Sequence, residues 1–209
     1  MMRIDSIASS PDRSGRILIK FSSGLSMRVY RQLIEDYGLF PGLELSDEQM
    51  VSLQESAGAY SAKMRAVRIV SASSVSRKVL EQRLVQKGEN AQQAKEAVAW
   101  MEELHLVDDR QTAAQIVSRC IAKGYGRSRA KQALYEKQIP KALWDEALED
   151  YPEQTEYILK FLRSKLPAGA DERQKKRAID GLLRRGHSYG AVRRALESLG
   201  EETDEFFGG

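Results

Sequence analysis

The sequence predicts a mainly α protein: a tandem array of three three-helix repeats, elongated and curved, preceded by a small N-terminal β-hairpin and short helix. Three observations lead there. Residues with β character are confined to the first fifty positions, apolar residues beyond them recur at helical spacing, and that helical pattern returns twice along the chain.

Taken in order, Arg16 to Phe21 and Leu25 to Tyr30 are short runs rich in β-branched and aromatic residues, separated by Ser22, Ser23 and Gly24, and they read as a hairpin. Arg3 to Ala8 supplies a third strand. A short helix over Gln32 to Tyr37 is expected to stop at Gly38, and Pro41 with Gly42 enforces a turn. Ser46 and Gln49 have capping-box spacing, in which the serine oxygen satisfies a free backbone N–H and the glutamine reaches back, so a long helix should follow to about Ser71.

From there the helices repeat. With Leu84 placed over Leu134 and Leu182, the last helix of each unit presents Ala94/Ala97/Val98/Met101, then Trp144/Ala147/Leu148/Tyr151, then Val192/Ala195/Leu196/Leu199. Each set has the i, i+3, i+4, i+7 spacing of one helical face. The helix before gives Leu80/Leu84, Ala130/Leu134 and Ala178/Leu182, and Lys87, Lys137 and Arg185 superpose in its last turn, where a cation complements the helix dipole. Asn90 with Gln93, Asp108 with Gln111 and Asp171 with Gln174 read as capping-box pairs, and Ser188 as an N-cap. Pro140 and Pro152 suit first helical turns. The chain thus divides into a front segment at 1–50, repeats at 51–107, 108–151 and 152–200, and an acidic tail at 201–209 expected to be disordered, in which Phe206 and Phe207 could form a docking motif. One unit alone buries too little apolar surface, so neighbours complete each core.

Composition narrows the function. The 209 residues are 42% hydrophobic and 30% charged, as in globular proteins. No apolar run reaches the roughly 20 residues of a membrane helix, and Met1 to Ser10 lack the apolar stretch of a secretion signal, so a cytoplasmic location without membrane contact is expected. The single cysteine, Cys120, sits among Ile116, Val117 and Ile121 and reads as a buried structural thiol. His105 and His187 fall in different units with no cysteine nearby, so no metal or nucleophile–base constellation forms. Gly124 and Gly126 lack the rest of a phosphate loop and read as a helix stop and turn, while Asp108 and Asp109 read as a cap. An enzyme is not expected, nor a cofactor.

Charge is unevenly placed. The net charge of +3 hides a segment, 151–200, with 11 basic against 6 acidic residues, and a tail with four acids and no base. Several cations sit where a helix disfavours them. Arg77 with Lys78, Arg127 with Arg129 and nearby Lys131, and Arg173 with Lys175, Lys176 and Arg177 fall at or near the start of the middle helix of a unit. Each opposes the helix dipole by roughly 0.3–1 kcal/mol. Arg77, Arg127 and Lys175 are equivalent under the repeat, so an array would carry them as a row along one edge, with Arg184, Arg193 and Arg194 adding to the basic last third. Such a row fits phosphates or a partner's carboxylates; solvated, frayed helix starts are the plainer account. Tyr125 and Tyr189, beside basic residues, could stack on bases or simply pack at hairpin corners.

The order of these features resembles the RecX family. The resemblance rests on Ser76 to Gly88, a basic helix start leading to Leu84-Val-Gln-Lys-Gly88, on Val107 to Asp109, on Lys123 to Arg129 with its Gly-Tyr-Gly turn, and on the front segment including Tyr37 to Leu45. It covers nearly the whole chain, with departures at Thr112, where many members have an aromatic residue, at Gln138, where glycine is usual, and at His187, where phenylalanine is usual. The resemblance implies a regulatory protein, expected as a monomer, that lies in the groove of the RecA filament on single-stranded DNA and hinders filament growth, ATP hydrolysis and strand exchange, with weak, salt-sensitive contact to the DNA. The alternative is a helical nucleic-acid-binding protein acting without RecA.

Overall fold

The computed structural model describes residues 1–10, 15–167 and 170–200; the tail, with Phe206 and Phe207, lies outside them. The chain forms two compact units, Met1–Val107 and Asp108–Gly209.

In the first unit, strands β1 (Met2–Ser9), β2 (Arg16–Phe21) and β3 (Ser26–Tyr30) pair antiparallel, and α1 (Arg31–Asp36) follows. A two-residue strand, β4 (Glu44–Leu45), completes the sheet in the order β3-β2-β1-β4. The sequence reading did not include β4, because two residues carry no alternation to detect. Its pairing with Met2 and Arg3 depends on the turn at Pro41 and Gly42, which brings the chain back so that Ile4 N–H donates to the Leu43 carbonyl at 2.9 Å.

Helix α2 (Asp47–Ala72) starts at a complete capping box of Ser46 and Gln49. At 1.5 Å per residue its 26 residues span about 39 Å, enough to serve two cores. Met50 and Leu53 close the sheet over Ile4, Ile19, Phe21, Val29 and Leu33, whereas Ala62, Ala66 and Ile69 pack against α3 (Arg77–Gln86) and α4 (Ala91–Glu103). The predicted faces Leu80/Leu84 and Ala94/Ala97/Val98/Met101 all lie in that second core. Asn90 caps α4 through the Gln92 and Gln93 N–H groups, but the Gln93 amide does not close the box. It donates instead to the Glu55 carbonyl of α2 at 3.3 Å, over Gly58, where a Cβ would stand 2.4 Å from it.

The second unit holds α5 (Asp109–Ala122), α6 (Arg127–Glu136), α7 (Trp144–Ala147) after a 3₁₀ turn at Lys141–Leu143, α8 (Thr155–Lys165), α9 (Glu172–Arg184) and α10 (Tyr189–Ser198). One core gathers Ile116, Val117, Cys120, Ala130, Leu134 and Leu148 from α5, α6 and the α7 end. Another gathers Ile158, Leu162, Ala178, Leu182, Val192, Ala195 and Leu196 from α8, α9 and α10. Cys120 is buried, and that burial pushes its thiol pKa up. Asp171 with Gln174 is a complete capping box and Ser188 caps α10, while Asp108 caps α5 without the reciprocal bond.

Two further expectations fail in this unit. The Trp144/Ala147/Leu148/Tyr151 face was expected on a full helix, yet α7 is one turn long. Trp144 Nε1 donates to the Ile139 carbonyl at 3.0 Å and the Tyr151 hydroxyl to the Tyr125 carbonyl at 2.7 Å, so both aromatics pin backbone outside the helix. Burial pushes the Tyr151 pKa up to about 12, which keeps that donor protonated. Pro152 also disfavours helical geometry at Tyr151. Nor does Pro152 open α8. Gln154, left-handed at φ 63°, intervenes and ties the Ile121 carbonyl with its amide at 3.0 Å.

Lys87, Lys137 and Arg185 are the C-cap residues of α3, α6 and α9. The next residue is left-handed each time: Gly88 at φ 90°, Gln138 at φ 53° and Gly186 at φ 86°. A side chain in that region costs about 1–2 kcal/mol, partly returned through the less flexible unfolded chain. Gln138→Gly is therefore expected to stabilise the protein by about 0.5–1 kcal/mol, read as a rise in the urea midpoint at unchanged slope.

Candidate functional site

The cations singled out by sequence divide sharply by environment. Arg77 is exposed at the start of α3, where its Nε meets Glu102 at 2.8 Å, and Lys78 is exposed beside it. Arg173, Lys176, Arg177 and Arg184 are exposed on α9, but the Lys175 side chain is only 13% exposed and meets Glu172 at 3.5 Å. Arg129 is half-buried with Glu136 at 3.0 Å, Arg193 meets Glu197 at 2.8 Å, and Arg194 pairs with Glu153. Arg127 and Lys131 are exposed one turn apart on α6 and make no ion pair among the described residues.

Arg127 owes its position to a backbone junction. α6 starts at Gly126 with no side-chain cap and no acid in its first turn. Its N–H groups are met instead by the turn between α9 and α10: Gly126 N–H donates to the Arg185 carbonyl at 2.9 Å and Ser128 N–H to the Gly186 carbonyl at 3.3 Å. Only two glycines permit this approach. A Cβ on Gly126 would lie 2.0 Å from the Gly186 oxygen, and one on Gly186 would lie 2.3 Å from the Arg129 nitrogen. Gly124 completes the motif, left-handed at φ 65° and laid against the Tyr157 ring, where a Cβ would come within 2.0 Å. The Gly-Tyr-Gly turn is thus both a helix stop and the seam that joins the α5–α7 core to the α8–α10 core. Tyr125 is partly buried against the first of these cores, whereas Tyr189 is 62% exposed at the start of α10.

His187 sits in the seam, a place the sequence did not indicate: there it reads as an isolated histidine without metal or nucleophile partners and as a departure from the usual phenylalanine. It is 5% exposed, its Nε2 lies 3.0 Å from the Gly124 carbonyl, and its ring stacks on Tyr157 at 5.9 Å between centroids. Because a carbonyl only accepts, Nε2 carries the proton and Nδ1 does not; Nδ1 is buried with no hydrogen-bond partner. Arg185 lies over the Tyr157 and Phe161 rings at 5.7 and 5.3 Å and adds positive charge beside it. Burial lowers the His187 pKa below its usual 6.5, the Arg185 charge adds to this, and the Gly124 bond opposes it. The folded protein therefore holds His187 neutral. As pH falls below about 6.5 the unfolded chain takes up the proton first, so stability should be full above that pH and decline below it until the folded histidine also protonates. In His187→Phe this part of the decline should vanish, as measured by urea unfolding between pH 5 and 8.

Among the described residues no group of three or more His, Cys, Asp or Glu could hold a metal ion, and no helix is long and apolar enough to cross a membrane.

Comparison with known proteins places this architecture. A family model described as the second three-helix domain of RecX matches residues 108–148, the segment holding α5, α6 and α7. A regulatory protein RecX of Chlorobaculum tepidum is 33% identical over 148 residues, covering 68% of this chain and 91% of its own length. The chain belongs to the RecX family. A RecX of Clostridioides difficile, 23% identical over 203 residues, extends the likeness to 94% of this chain and 95% of that one. In fold, a crystal structure of regulatory protein RecX superposes with a TM-score of 0.66 at 20% identity, covering 94% of this chain and all of the other. RecX from Lactobacillus salivarius gives 0.63 at 19% identity over 69% of this chain. The relatives are named as regulatory proteins, which is the role this RecX-family chain shares at the level of the family.

Proposed function

We propose that this RecX-family chain binds the RecA filament on single-stranded DNA and restrains its growth, ATP hydrolysis and strand exchange, without chemistry or cofactor of its own. The observation that supports this most is the set of basic, acid-free starts of α3 and α6, mounted on separate packed three-helix cores. Positive groups that work against their own helix dipole gain most from an anionic partner. A modular surface of this kind suits an extended, repeating partner. In this reading the chain acts as a cytoplasmic monomer, divided into a front segment at 1–50, repeats at 51–107, 108–151 and 152–200, and a tail. The partner surface comprises Arg77, Lys78, Arg127, Arg129, Lys131, Arg173, Lys175, Lys176, Arg177, Arg184, Arg193 and Arg194.

Co-sedimentation with RecA filaments, followed by RecA ATP hydrolysis and strand exchange on single-stranded DNA, tests the proposal. Changing Arg77, Arg127 and Lys175 together to glutamine should weaken binding by on the order of 10-fold. Arg127 should dominate over Lys175, whose side chain is already mostly covered. No effect of the wild-type protein at several-fold excess in low salt would overturn the reading. Tight binding to duplex DNA with no RecA requirement would favour the alternative, a nucleic-acid-binding protein.

A further inference from the structure

The seam in the second unit encloses a cleft of about 330 Å³ between the starts of α6 and α10, at the small end of ligand sites. Arg127 and Lys131 line one side, Ser188 and Gly186 the other, and His187 contributes to the wall. Neither helix carries an acid in its first turn, so two positive dipole ends converge there. The lining includes one acid, Glu153, and it pairs with Arg194. Arg127 and Lys131 have no such partner among the described residues. His187, neutral in the folded protein, adds a buried acceptor to the wall and no charge, so the cations of the lining are Arg127 and Lys131. Directly after Ser188, Tyr189 is 62% exposed.

We propose that this cleft seats a backbone phosphate of single-stranded DNA, held by Arg127 and Lys131 at the convergent helix starts, with a neighbouring base stacked on Tyr189. The inference rests on the reading that the chain meets single-stranded DNA, and it assigns that contact to one cleft rather than to a diffuse basic surface. Cations at phosphates position a strand and make its binding salt-dependent, while an aromatic face accepts any base.

The test uses a fluorescein-labelled oligothymidylate and the full chain without RecA, read by fluorescence anisotropy across a salt series. Its failure therefore leaves the RecA reading to be judged by co-sedimentation. Arg127→Gln with Lys131→Gln should weaken binding by on the order of 10-fold and flatten the salt slope by about 1–2. Arg163→Gln with Lys165→Gln, which removes equal charge from the end of α8, should change affinity by less than about twofold. Tyr189→Leu should cost about fivefold or more, and Tyr189→Phe should restore binding. Circular dichroism and thermal midpoints confirm that each variant is folded. Equal loss in the two charge pairs, or no binding by wild type in low salt, would overturn the assignment. So would displacement of the strand by inorganic phosphate more effectively than by chloride at matched ionic strength, which would make the cleft a site for the free ion.

Discussion

Replacing Gly126 with alanine is expected to cost about 3 kcal/mol and to loosen α8, α9 and α10 from α5 and α6. The new methyl would sit 2.0 Å from the Gly186 oxygen, 2.1 Å from its carbonyl carbon and 2.3 Å from the His187 nitrogen. All three are backbone atoms, so no side chain can swing away, and the two segments must separate by more than an ångström. Separation breaks Gly126 N–H to Arg185, Ser128 N–H to Gly186 and the His187 contact to Gly124. At about 1 kcal/mol each for buried hydrogen bonds, their loss accounts for the estimate. Urea unfolding measures the total, and amide hydrogen exchange should show lost protection at the start of α6 and in the α9–α10 turn. A loss below about 1 kcal/mol would mean that the seam is looser than its distances indicate. Gly186→Ala strikes the same seam from the other side, with the added strain of a left-handed alanine.

The second large effect is expected at the repeat-equivalent leucines. Leu134 and Leu182 are fully buried, each one turn after an alanine that is itself buried, Ala130 or Ala178. Truncating either to alanine leaves a methyl-sized neighbour that cannot refill the space, so each should cost about 3 kcal/mol in lost transfer energy and cavity. The two belong to separate cores. Leu134→Ala should therefore lower exchange protection chiefly in α5 to α7, and Leu182→Ala chiefly in α8 to α10. Equal loss throughout the unit from both variants would show that it unfolds as one body rather than as coupled modules.

Much of the helical framework was legible because its signals are local. The faces Ala94/Ala97/Val98/Met101 and Val192/Ala195/Leu196 follow from 3.6-residue periodicity, and the Ser46–Gln49 and Asp171–Gln174 boxes follow from side chains reaching three residues along. The shortened α7 was not legible, since its end depends on Tyr151 finding the Tyr125 carbonyl across 26 residues. Candidate cations could be located but not sorted. Lys175 and Arg127 occupy equivalent positions, yet Glu172 lies one turn from the first while the second faces a neighbouring helix start.

The class of the chain, the registers of its repeating apolar faces and the helix starts that carry unfavourable cations follow from local pattern, because they depend on neighbours within a turn or two. The meeting of Gly126 with Gly186, the enclosure of His187 without a partner for Nδ1, and the opening of Arg127 and Lys131 onto a cleft come from the packing of the folded unit. Those contacts join residues about sixty positions apart. They arise from the way two finished cores abut, and no periodicity in the chain encodes that distance.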